Sequence, residues 1–205
     1  MMNIKVVAFD CDGVMFDTEK ANKAFYNRIL NHLGMPIMTP EQFSYANMHT
    51  AEKVLAYLMN DPERFEAAQA HRQKIGYLPF IPVMKIEPHL KQVLKKLRLK
   101  YNTAIATNRT DSIDHILKEF GLGAYFDFVV SALDVKHPKP HPEPLNKILE
   151  HYGLKPNQMV YVGDSELDEI AARAAGTYLV AYNNRSLDAD FHISGLQELE
   201  EILEV

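Results

Sequence analysis

Apolar residues along the chain fall into two repeating patterns, short continuous runs and helical repeats. The first run extends from Ile4 to Phe9, and its β-branched valines are typical of a strand buried on both faces of a parallel sheet. Similar runs predict four further strands, at residues 103–107, 126–130, 159–162 and 177–182. Apolar residues at helical spacing separate these runs, and a short helix is predicted at residues 195–204. Strands that alternate with helices favour right-handed crossovers, so we predict an α/β fold with a parallel sheet covered on both faces.

The segment between the first and second strands follows a different pattern. Residues 15–85 contain helical repeats of apolar residues but no run strong enough to join a sheet. Near the end of this segment, prolines punctuate residues 78–82, which suits a linker. We therefore predict an α/β core formed by residues 1–14 and 86–205, with an all-α domain of residues 15–85 inserted into it.

Polar residues cluster where three of the predicted strands end. The clusters are Asp10 and Asp12, then Thr107-Asn108-Arg109, then Gly163-Asp164-Ser165 with Asp168 one helical turn later. Because parallel strands end at the same edge of a sheet, these clusters can converge although they are distant in sequence. Lys139, on the loop after the third strand, can join them.

The paired carboxylates indicate phosphoryl transfer assisted by a cation. Two like charges as close as Asp10 and Asp12 are explained by a divalent cation with a phosphate beside it, and hard oxygen ligands favour Mg²⁺. Asp10 and Asp164 are the expected metal ligands, and Asp10 is a workable nucleophile that would form an aspartyl-phosphate. This leaves Asp12 to protonate the leaving oxygen and then to activate water.

The remaining polar residues suit a phosphate-binding site. Lys139 would neutralise charge on the transferring phosphoryl group, while Thr107 and Asn108 would donate hydrogen bonds to its oxygens. Each motif also has a purely structural interpretation, such as a turn at Asp10 and Asp12 or a solvated loop lysine. Ser165 and Asp168 likewise match a capping box. The functional interpretation rests on all four clusters reaching the same edge of the sheet.

Composition narrows the classes of partner. The chain of 205 residues carries a formal net charge of −5 and has no basic cluster, which argues against nucleic acid or a membrane surface as a partner. Its one cysteine, Cys11, cannot form an internal disulfide. No signal peptide is recognisable, and no apolar stretch approaches the roughly 20 residues that cross a bilayer. We expect a cytoplasmic protein that acts on a small molecule, as a monomer or a homodimer.

Taken in order, four motifs resemble those of the haloacid dehalogenase superfamily, in its phosphatase branch with a helical cap, which includes phosphoglycolate phosphatases and β-phosphoglucomutases. The motifs are Asp10-x-Asp12-Gly13-Val14, Thr107-Asn108, Lys139-Pro140-x-Pro142 and Gly163-Asp164-Ser165-x-x-Asp168. The resemblance implies a Rossmann-like doubly wound core, with residues 15–85 as the cap.

The resemblance also implies roles for individual residues. Asp10 would be the nucleophile and Asp12 the general acid and base. The Asp10 side chain, the main-chain carbonyl of Asp12 and Asp164 would bind Mg²⁺, and Asp168 would support the metal site. The carbonyl ligand follows from the resemblance alone. In the second and third motifs, Thr107, Asn108 and Lys139 would hold the phosphate.

The cap is where the sequence departs from the family. Members often have a glycine-containing specificity loop there, whereas residues 45–53 of this chain contain no glycine. Within this stretch, His49, Thr50 and Lys53 are candidates for contacting the substrate, although Thr50 also suits a helix N-cap. The other histidines are interpreted as surface or loop residues, and prolines interrupt the spacing between His137 and His141.

These observations favour an Mg²⁺-dependent phosphatase that acts on a small phosphorylated metabolite. A sugar-phosphate mutase is the first alternative, and Asn22, at a position where such mutases carry histidine, argues weakly against it. A phosphonate hydrolase would require a cap lysine, for which Lys53 is available. A dehalogenase would lack the aspartate that Asp12 supplies. Outside the enzymes, a receiver-like phospho-acceptor shares the α/β plan, but the helical insertion fits it poorly.

Overall fold

The computed structural model describes residues 3–205, which contain a six-stranded parallel sheet and a separate two-stranded sheet. The strands are β1 (Val6–Phe9), β2 (Phe16–Asp17), β3 (Lys85–Ile86), β4 (Asn102–Ala106), β5 (Phe128–Val130), β6 (Met159–Gly163), β7 (Tyr178–Tyr182) and β8 (Phe191–Ile193). The large sheet has the order β5-β4-β1-β6-β7-β8, and every pair in it is parallel. The chain thus builds outward from β1 in one direction and then in the other, which is the doubly wound topology. The predicted fold class is confirmed.

Four helices form the compact unit Asp17–Lys85. They are α1 (Glu19–His32), α2 (Pro40–Met48), α3 (Ala51–Leu58) and α4 (Pro62–Ile75). Polar caps begin three of these helices: the side chains of Thr39, Thr50 and Asp61 each accept a hydrogen bond from a backbone amide in the first turn. Helix α1 packs against α2 and α4, and α3 packs against both of them as well. The function of this unit as a cap stays a prediction.

The other compact unit contains the described chain up to Phe16 and from Ile86 to Val205. Its helices are α5 (Leu90–Leu97), α6 (Ile113–Glu119), α7 (Glu143–Tyr152), α8 (Glu166–Ala175) and α9 (Leu199–Ile202). Apolar residues at helical spacing become fully buried in these helices, as Leu90 and Leu94 do in α5. Helices α7 and α8 pack against each other and share one buried cluster with β1, β4 and β6. Sheet and helices therefore hold the carboxyl ends of the strands in fixed positions.

The structure corrects several local predictions. The segment 15–85 is not helical at its ends, because β2 and β3 pair with each other there. The expected linker at 78–82 is part of a 3-10 helix, Leu78–Val83. The predicted helix at 195–204 is divided into a 3-10 turn and the four-residue α9. Sequence patterns also miss β8, which is only three residues long and has an exposed central histidine. Among residues 3–205, no helix is both long and apolar enough to span a membrane.

Candidate active site

The polar clusters predicted from the sequence lie at one edge of the large sheet. Asp10 directly follows β1, and the strands on either side of β1 lead into Thr107 and Asp164. This edge is also the point where the winding direction of the sheet reverses, so the loops after β1 and β6 diverge and leave a crevice. Ligands of open α/β sheets bind in such crevices.

Lys139 is the centre of the site. Its side chain is 3% exposed, and its Nζ lies 2.8 Å from Oδ1 of Asp10 and 2.7 Å from Oδ1 of Asp168. The same ammonium donates a hydrogen bond of 2.8 Å to the hydroxyl of Tyr161. Burial alone would lower the pKa of Lys139, but Asp10 and Asp168 outweigh burial and raise it. Lys139 is therefore a permanent positive charge beside Asp10.

Asp168 holds this lysine in place and caps α8 at the same time. Its Oδ2 accepts hydrogen bonds from the backbone amide of Ser165 (3.1 Å), from the Ser165 hydroxyl (2.6 Å) and from the backbone amide of Asp164 (3.2 Å). Burial raises the pKa of Asp168, but the nearby Lys139 charge and the hydrogen bonds to the carboxylate lower it by more. The net result is a pKa below the usual value of an aspartate. The two interpretations of Asp168, helix capping and support of the site, are thus compatible.

Asp10 and Asp164 are two neighbouring buried carboxyl groups whose ionisation is unfavourable. Burial, the largest cause, raises the pKa of Asp10 to about 7 and that of Asp164 to about 8, and neighbouring carboxylates contribute to both shifts. Oxygens of Asp10, Asp164 and Asp168 lie within 4.8 Å of one another. Both oxygens of Asp168 already have partners, Lys139 and Tyr161 at Oδ1 and Ser165 at Oδ2, whereas Lys139 contacts Asp10 through Oδ1, so Asp10 and Asp164 are the pair suited to a divalent cation. Their hard oxygen donors and mutual repulsion fit Mg²⁺.

Gly13 makes room for the Asp164 carboxylate. A Cβ atom on Gly13 would lie 2.0 Å from Oδ2 of Asp164, far inside van der Waals contact. The φ angle of Gly13 is +77°, in the left-handed region that favours glycine. The first motif therefore requires glycine for two separate reasons.

Asp12 does not join the other carboxylates. Its Oδ1 accepts a hydrogen bond of 2.6 Å from Nη2 of Arg109, in an ion pair whose side chains are 16% and 8% exposed. Arg109 also donates to the hydroxyl of Ser112 at 3.1 Å, which fixes the guanidinium at the start of α6. The carboxylate of Asp12 is thus oriented separately from that of Asp10, although only one residue intervenes.

Thr107 and Asn108 contact the segments that surround them. Oγ1 of Thr107 accepts a hydrogen bond from the amide of Arg109 at 3.1 Å, and Nδ2 of Asn108 donates to the carbonyl of Lys139 at 3.0 Å. Asn108 thereby ties the loop after β4 to the loop that carries Lys139. The predicted roles of these residues in binding phosphate stay predictions.

The predicted substrate residues of the helical unit have local structural partners. Thr50 is the N-cap of α3, and its hydroxyl accepts a hydrogen bond of 3.4 Å from the amide of Lys53, whose side chain is exposed. The ring of His49 stacks on Tyr45 with centroids 3.8 Å apart, and its Nδ1 lies 3.0 Å from the Tyr45 carbonyl oxygen. Contact between these three residues and a substrate stays a prediction.

Sequence reasoning missed two side chains of the site. Tyr161 lies within the buried run of β6, where an aromatic residue is interpreted as core, and only its hydroxyl reveals the role. Arg109 belongs to one of the predicted polar clusters, but the sequence assigns it no partner. The sequence signal for Arg109 is its position directly after Thr107-Asn108 at the end of a strand. This strand is expected to end at the same edge of the sheet as Asp10 and Asp12, where a cation could pair with a carboxylate.

Comparison with known proteins is consistent with this geometry. A family model described as haloacid dehalogenase-like hydrolase matches residues 7–182. The pyrophosphatase PpaX of Bacillus mycoides is 30% identical over 191 residues, covering 88% of this chain and 84% of the relative. The phosphoglycolate phosphatase of Chromobacterium violaceum is 29% identical over 99% of this chain and 98% of its own length.

A solved structure agrees over almost the full length. The crystal structure of a hydrolase of the same superfamily, subfamily IA, from Geobacter sulfurreducens is 39% identical and superposes with a TM-score of 0.81. The alignment covers 98% of this chain and 97% of that one. The predicted resemblance and the prediction of an enzyme are both confirmed. The chain belongs to the haloacid dehalogenase-like hydrolases.

Proposed function

We propose that this protein is an Mg²⁺-dependent phosphatase that hydrolyses a small phosphorylated metabolite through an aspartyl-phosphate on Asp10. The observation that carries the proposal is the buried ammonium of Lys139, 2.8 Å from the carboxylate of Asp10. A carboxylate attacks a phosphate dianion only when their repulsion is neutralised, and a fixed positive charge beside the nucleophile does this. The names of the curated relatives, a pyrophosphatase and a phosphoglycolate phosphatase, support a phosphorylated substrate.

The proposed reaction has two displacement steps at phosphorus. In the first, an oxygen of Asp10 attacks phosphorus, the bond from phosphorus to the ester oxygen breaks, and Asp12 gives that oxygen a proton. In the second, water attacks the aspartyl-phosphate while Asp12 accepts its proton, and the bond from phosphorus to Asp10 breaks. Arg109 orients Asp12 for this exchange, because its guanidinium holds Oδ1 at 2.6 Å.

The side chains of Asp10 and Asp164 would hold Mg²⁺, with the main-chain carbonyl of Asp12 as the further ligand implied by the family. When bound, the ion supplies positive charge that stabilises the phosphoryl oxygens in the transition state. Thr107, Asn108 and Lys139 would bind those oxygens from the protein side. Asp168 contributes indirectly, since it fixes the position of Lys139 through a contact of 2.7 Å.

Selection among substrates is assigned to the helical unit. His49, Thr50 and Lys53 lie at the start of α3, where one exposed cation and two polar groups could contact the leaving group. The names of the two relatives, a pyrophosphatase and a phosphoglycolate phosphatase, indicate small anionic substrates. We therefore propose a small anionic metabolite as the substrate of this protein. A His49→Ala, Lys53→Ala double variant should raise KM for that metabolite while leaving kcat for a generic aryl phosphate unchanged.

The test of the activity is release of inorganic phosphate from a panel of phosphorylated metabolites, with Mg²⁺ and with EDTA. Asp10→Asn should lower kcat by at least about 1,000-fold because it removes the nucleophile. Asp188→Asn is the matched control, since this aspartate side chain is 84% exposed and should not affect turnover.

Three results would contradict the proposal. Phosphate release at the wild-type rate by the Asp10→Asn variant would remove Asp10 from its role. An isomeric product that depends on a bisphosphate activator would identify a mutase instead. A long-lived aspartyl-phosphate without steady phosphate release would identify a phospho-acceptor.

A further inference from the structure

The loop that carries Lys139 also presents three metal-binding side chains that the active site does not use. It reads Lys136-His137-Pro138-Lys139-Pro140-His141-Pro142-Glu143. The spacing of its histidines argues against a metal site on a helix, but the fold places them on a turn ahead of α7. Ligand atoms of His137, His141 and Glu143 all lie within 4.8 Å of one another.

The donor atoms converge on one oxygen. Nδ1 of His137 lies 2.9 Å, and Nδ1 of His141 3.9 Å, from Oε2 of Glu143. Nδ1 of His141 also accepts a hydrogen bond of 3.2 Å from the amide of Glu143, a contact that an ion at this nitrogen would replace. Donors that share a tetrahedral zinc ion at about 2.0–2.1 Å are about 3.4 Å apart, so small side-chain rotations would bring all three onto one ion. The two imidazole rings are inclined by 41°, with centroids 4.7 Å apart. By contrast, His32 and His71 are stacked at 9°, an arrangement that places ring face against ring face.

The backbone fixes the carboxylate before any ion arrives. Oε1 of Glu143 accepts a hydrogen bond of 2.8 Å from the amide of Lys136, and Oε2 accepts one of 3.0 Å from the amide of His137. Three prolines restrict the backbone between the first and last of the three ligands. The side chains of His137 and His141 are 63% and 51% exposed, so an ion can reach them from solvent. Preorganisation of this kind lowers the entropy cost of binding.

We propose that His137, His141 and Glu143 form a second cation site that binds Zn²⁺, separate from the aspartate pair. Two imidazole nitrogens and one carboxylate oxygen are the donor set that zinc accepts, whereas Mg²⁺ prefers oxygen ligands alone. Three protein ligands leave the fourth tetrahedral position to water. The site does not depend on the proposed phosphatase activity.

A bound ion would join both halves of the loop to the first turn of α7. Lys139 lies between the two histidines, so this cross-link would stabilise the segment that positions the active-site ammonium. A ligand that binds only the folded protein raises its melting temperature. Zn²⁺ should therefore raise the Tm of the wild-type protein even when saturating Mg²⁺ is present.

The test is calorimetric titration of the full chain with ZnCl₂ in saturating Mg²⁺. The wild type should bind one Zn²⁺ that Mg²⁺ does not displace. The His137→Ala, His141→Ala double variant should lose more than about 100-fold in affinity, since even outer-shell partners of a metal are worth 10–100-fold. The His32→Ala, His71→Ala variant removes a closer but stacked pair, with ring centroids 3.7 Å apart, and should bind as the wild type does.

Two further measurements separate this site from the aspartate pair and from a folding defect. Asp164→Asn, which disables the aspartate pair, should leave this Zn²⁺ binding intact. In the unaltered protein, the imidazole NMR signals of His137 and His141 should shift with Zn²⁺ while those of His32 and His71 remain unchanged. Zn²⁺ affinity unchanged in the His137 and His141 variant, or abolished by Asp164→Asn, would overturn the proposal. So would titration that leaves the His137 and His141 signals unmoved, because their contacts would then be hydrogen bonds within the loop only.

Discussion

At the scale of single residues, Tyr161 shows how one hydroxyl can organise a buried charge network. It contacts the ammonium of Lys139 and the carboxylate of Asp168 at 2.8 Å each, and the carbonyl oxygen of Ala106 at 3.0 Å. Tyr161→Phe removes only this oxygen. Lys139 and Asp168 each lose one buried hydrogen bond to a charged group, so we expect a decrease of about 1–3 kcal/mol in the free energy of unfolding. Because Lys139 loses one of its three contacts, kcat for phosphate release should fall about 10-fold or more.

The matched control is Tyr101→Phe. The hydroxyl of Tyr101 also donates to a backbone carbonyl, that of Leu203, at 2.7 Å, but it contacts none of the site residues. This variant should lose stability and keep full activity. Equal kcat in Tyr161→Phe and the wild type would show that Lys139 is positioned by the two carboxylates alone.

Gly13 provides a second comparison at this scale. Gly13→Ala introduces both left-handed backbone strain and a collision with Asp164. A Cβ atom added to Gly153, at φ +63°, would meet no atom of the described residues within 4 Å apart from its two chain neighbours. Each alanine should cost about 1–2 kcal/mol of stability through the backbone. Only Gly13→Ala should also weaken Mg²⁺ binding, because it displaces a proposed ligand. Isothermal titration with Mg²⁺ measures the difference, and equal affinities in both variants would exclude Asp164 from the metal site.

Single residues also show where sequence reasoning stops. Asp10 and Asp164 could be chosen in advance because each follows an apolar run, and the ends of parallel strands share one edge. Tyr161 could not, since an aromatic residue inside a buried strand has the same pattern whether or not its hydroxyl has a partner. The pairing of Asp12 with Arg109 was equally hidden, because side-chain direction after a turn depends on backbone angles that composition does not fix.

At the scale of elements, Asp127 links two strands and one helix end. Its Oδ2 accepts a hydrogen bond of 3.0 Å from the amide of Thr103 in β4, and its Oδ1 pairs with Nη1 of Arg98 at 2.8 Å. Burial raises the pKa of Asp127, but these hydrogen bonds and the guanidinium lower it by more. The pKa of Asp127 is therefore below its ordinary value of 3.8. The side chain of Asp127, the residue directly before β5, thus provides a hydrogen-bond acceptor for a backbone amide of β4.

This arrangement predicts an acid-dependent loss of stability. A depressed pKa in the folded state means that the contribution of Asp127 is present above 3.8, the value of the unfolded chain, and is lost as pH falls through the folded value. Asp127→Asn should therefore lower Tm at neutral pH, and the difference from the wild type should shrink in strongly acidic buffer. Thermal unfolding at both pH values measures it. A constant difference would mean that the charge of Asp127 does not matter.

Elements were predicted best where they are long and periodic. Helix α5 follows directly from its buried leucines, and β1 and β6 follow from runs of buried residues. The two-residue strands β2 and β3 escaped because strands so short have no detectable period. Strand β5 is as short as β8 but lies within an apolar run, whereas an exposed histidine interrupts the apolar residues of β8. Strands β2, β3 and β8 form only through pairing with a partner that is distant along the chain or brought close by a loop.

At the scale of the whole molecule, the aspartate pair opposes folding in the absence of a cation. The pKa values of Asp10 and Asp164, about 7 and about 8 in the folded protein, are above the value of 3.8 expected in the unfolded chain. When the pKa of a carboxyl group is higher in the folded protein, the group contributes its full stability at pH values below 3.8. That contribution is lost as the pH rises through the folded-state pKa values. The cation that the site is proposed to bind would remove this penalty, because it favours the ionised carboxylates.

We therefore predict that Mg²⁺ stabilises the protein more at higher pH. In EDTA, Tm should fall between mildly acidic pH and about pH 8, the range in which Asp10 and Asp164 ionise. Saturating Mg²⁺ should flatten this decline, so the increase in Tm on adding Mg²⁺ should grow across the same range. Asp164→Asn removes one ionisation and one proposed ligand, so it should reduce both the decline in EDTA and the response to Mg²⁺, whereas Asp188→Asn should alter neither. An Mg²⁺ response that is independent of pH, or that persists in Asp164→Asn, would show that the ion does not bind at this carboxylate pair.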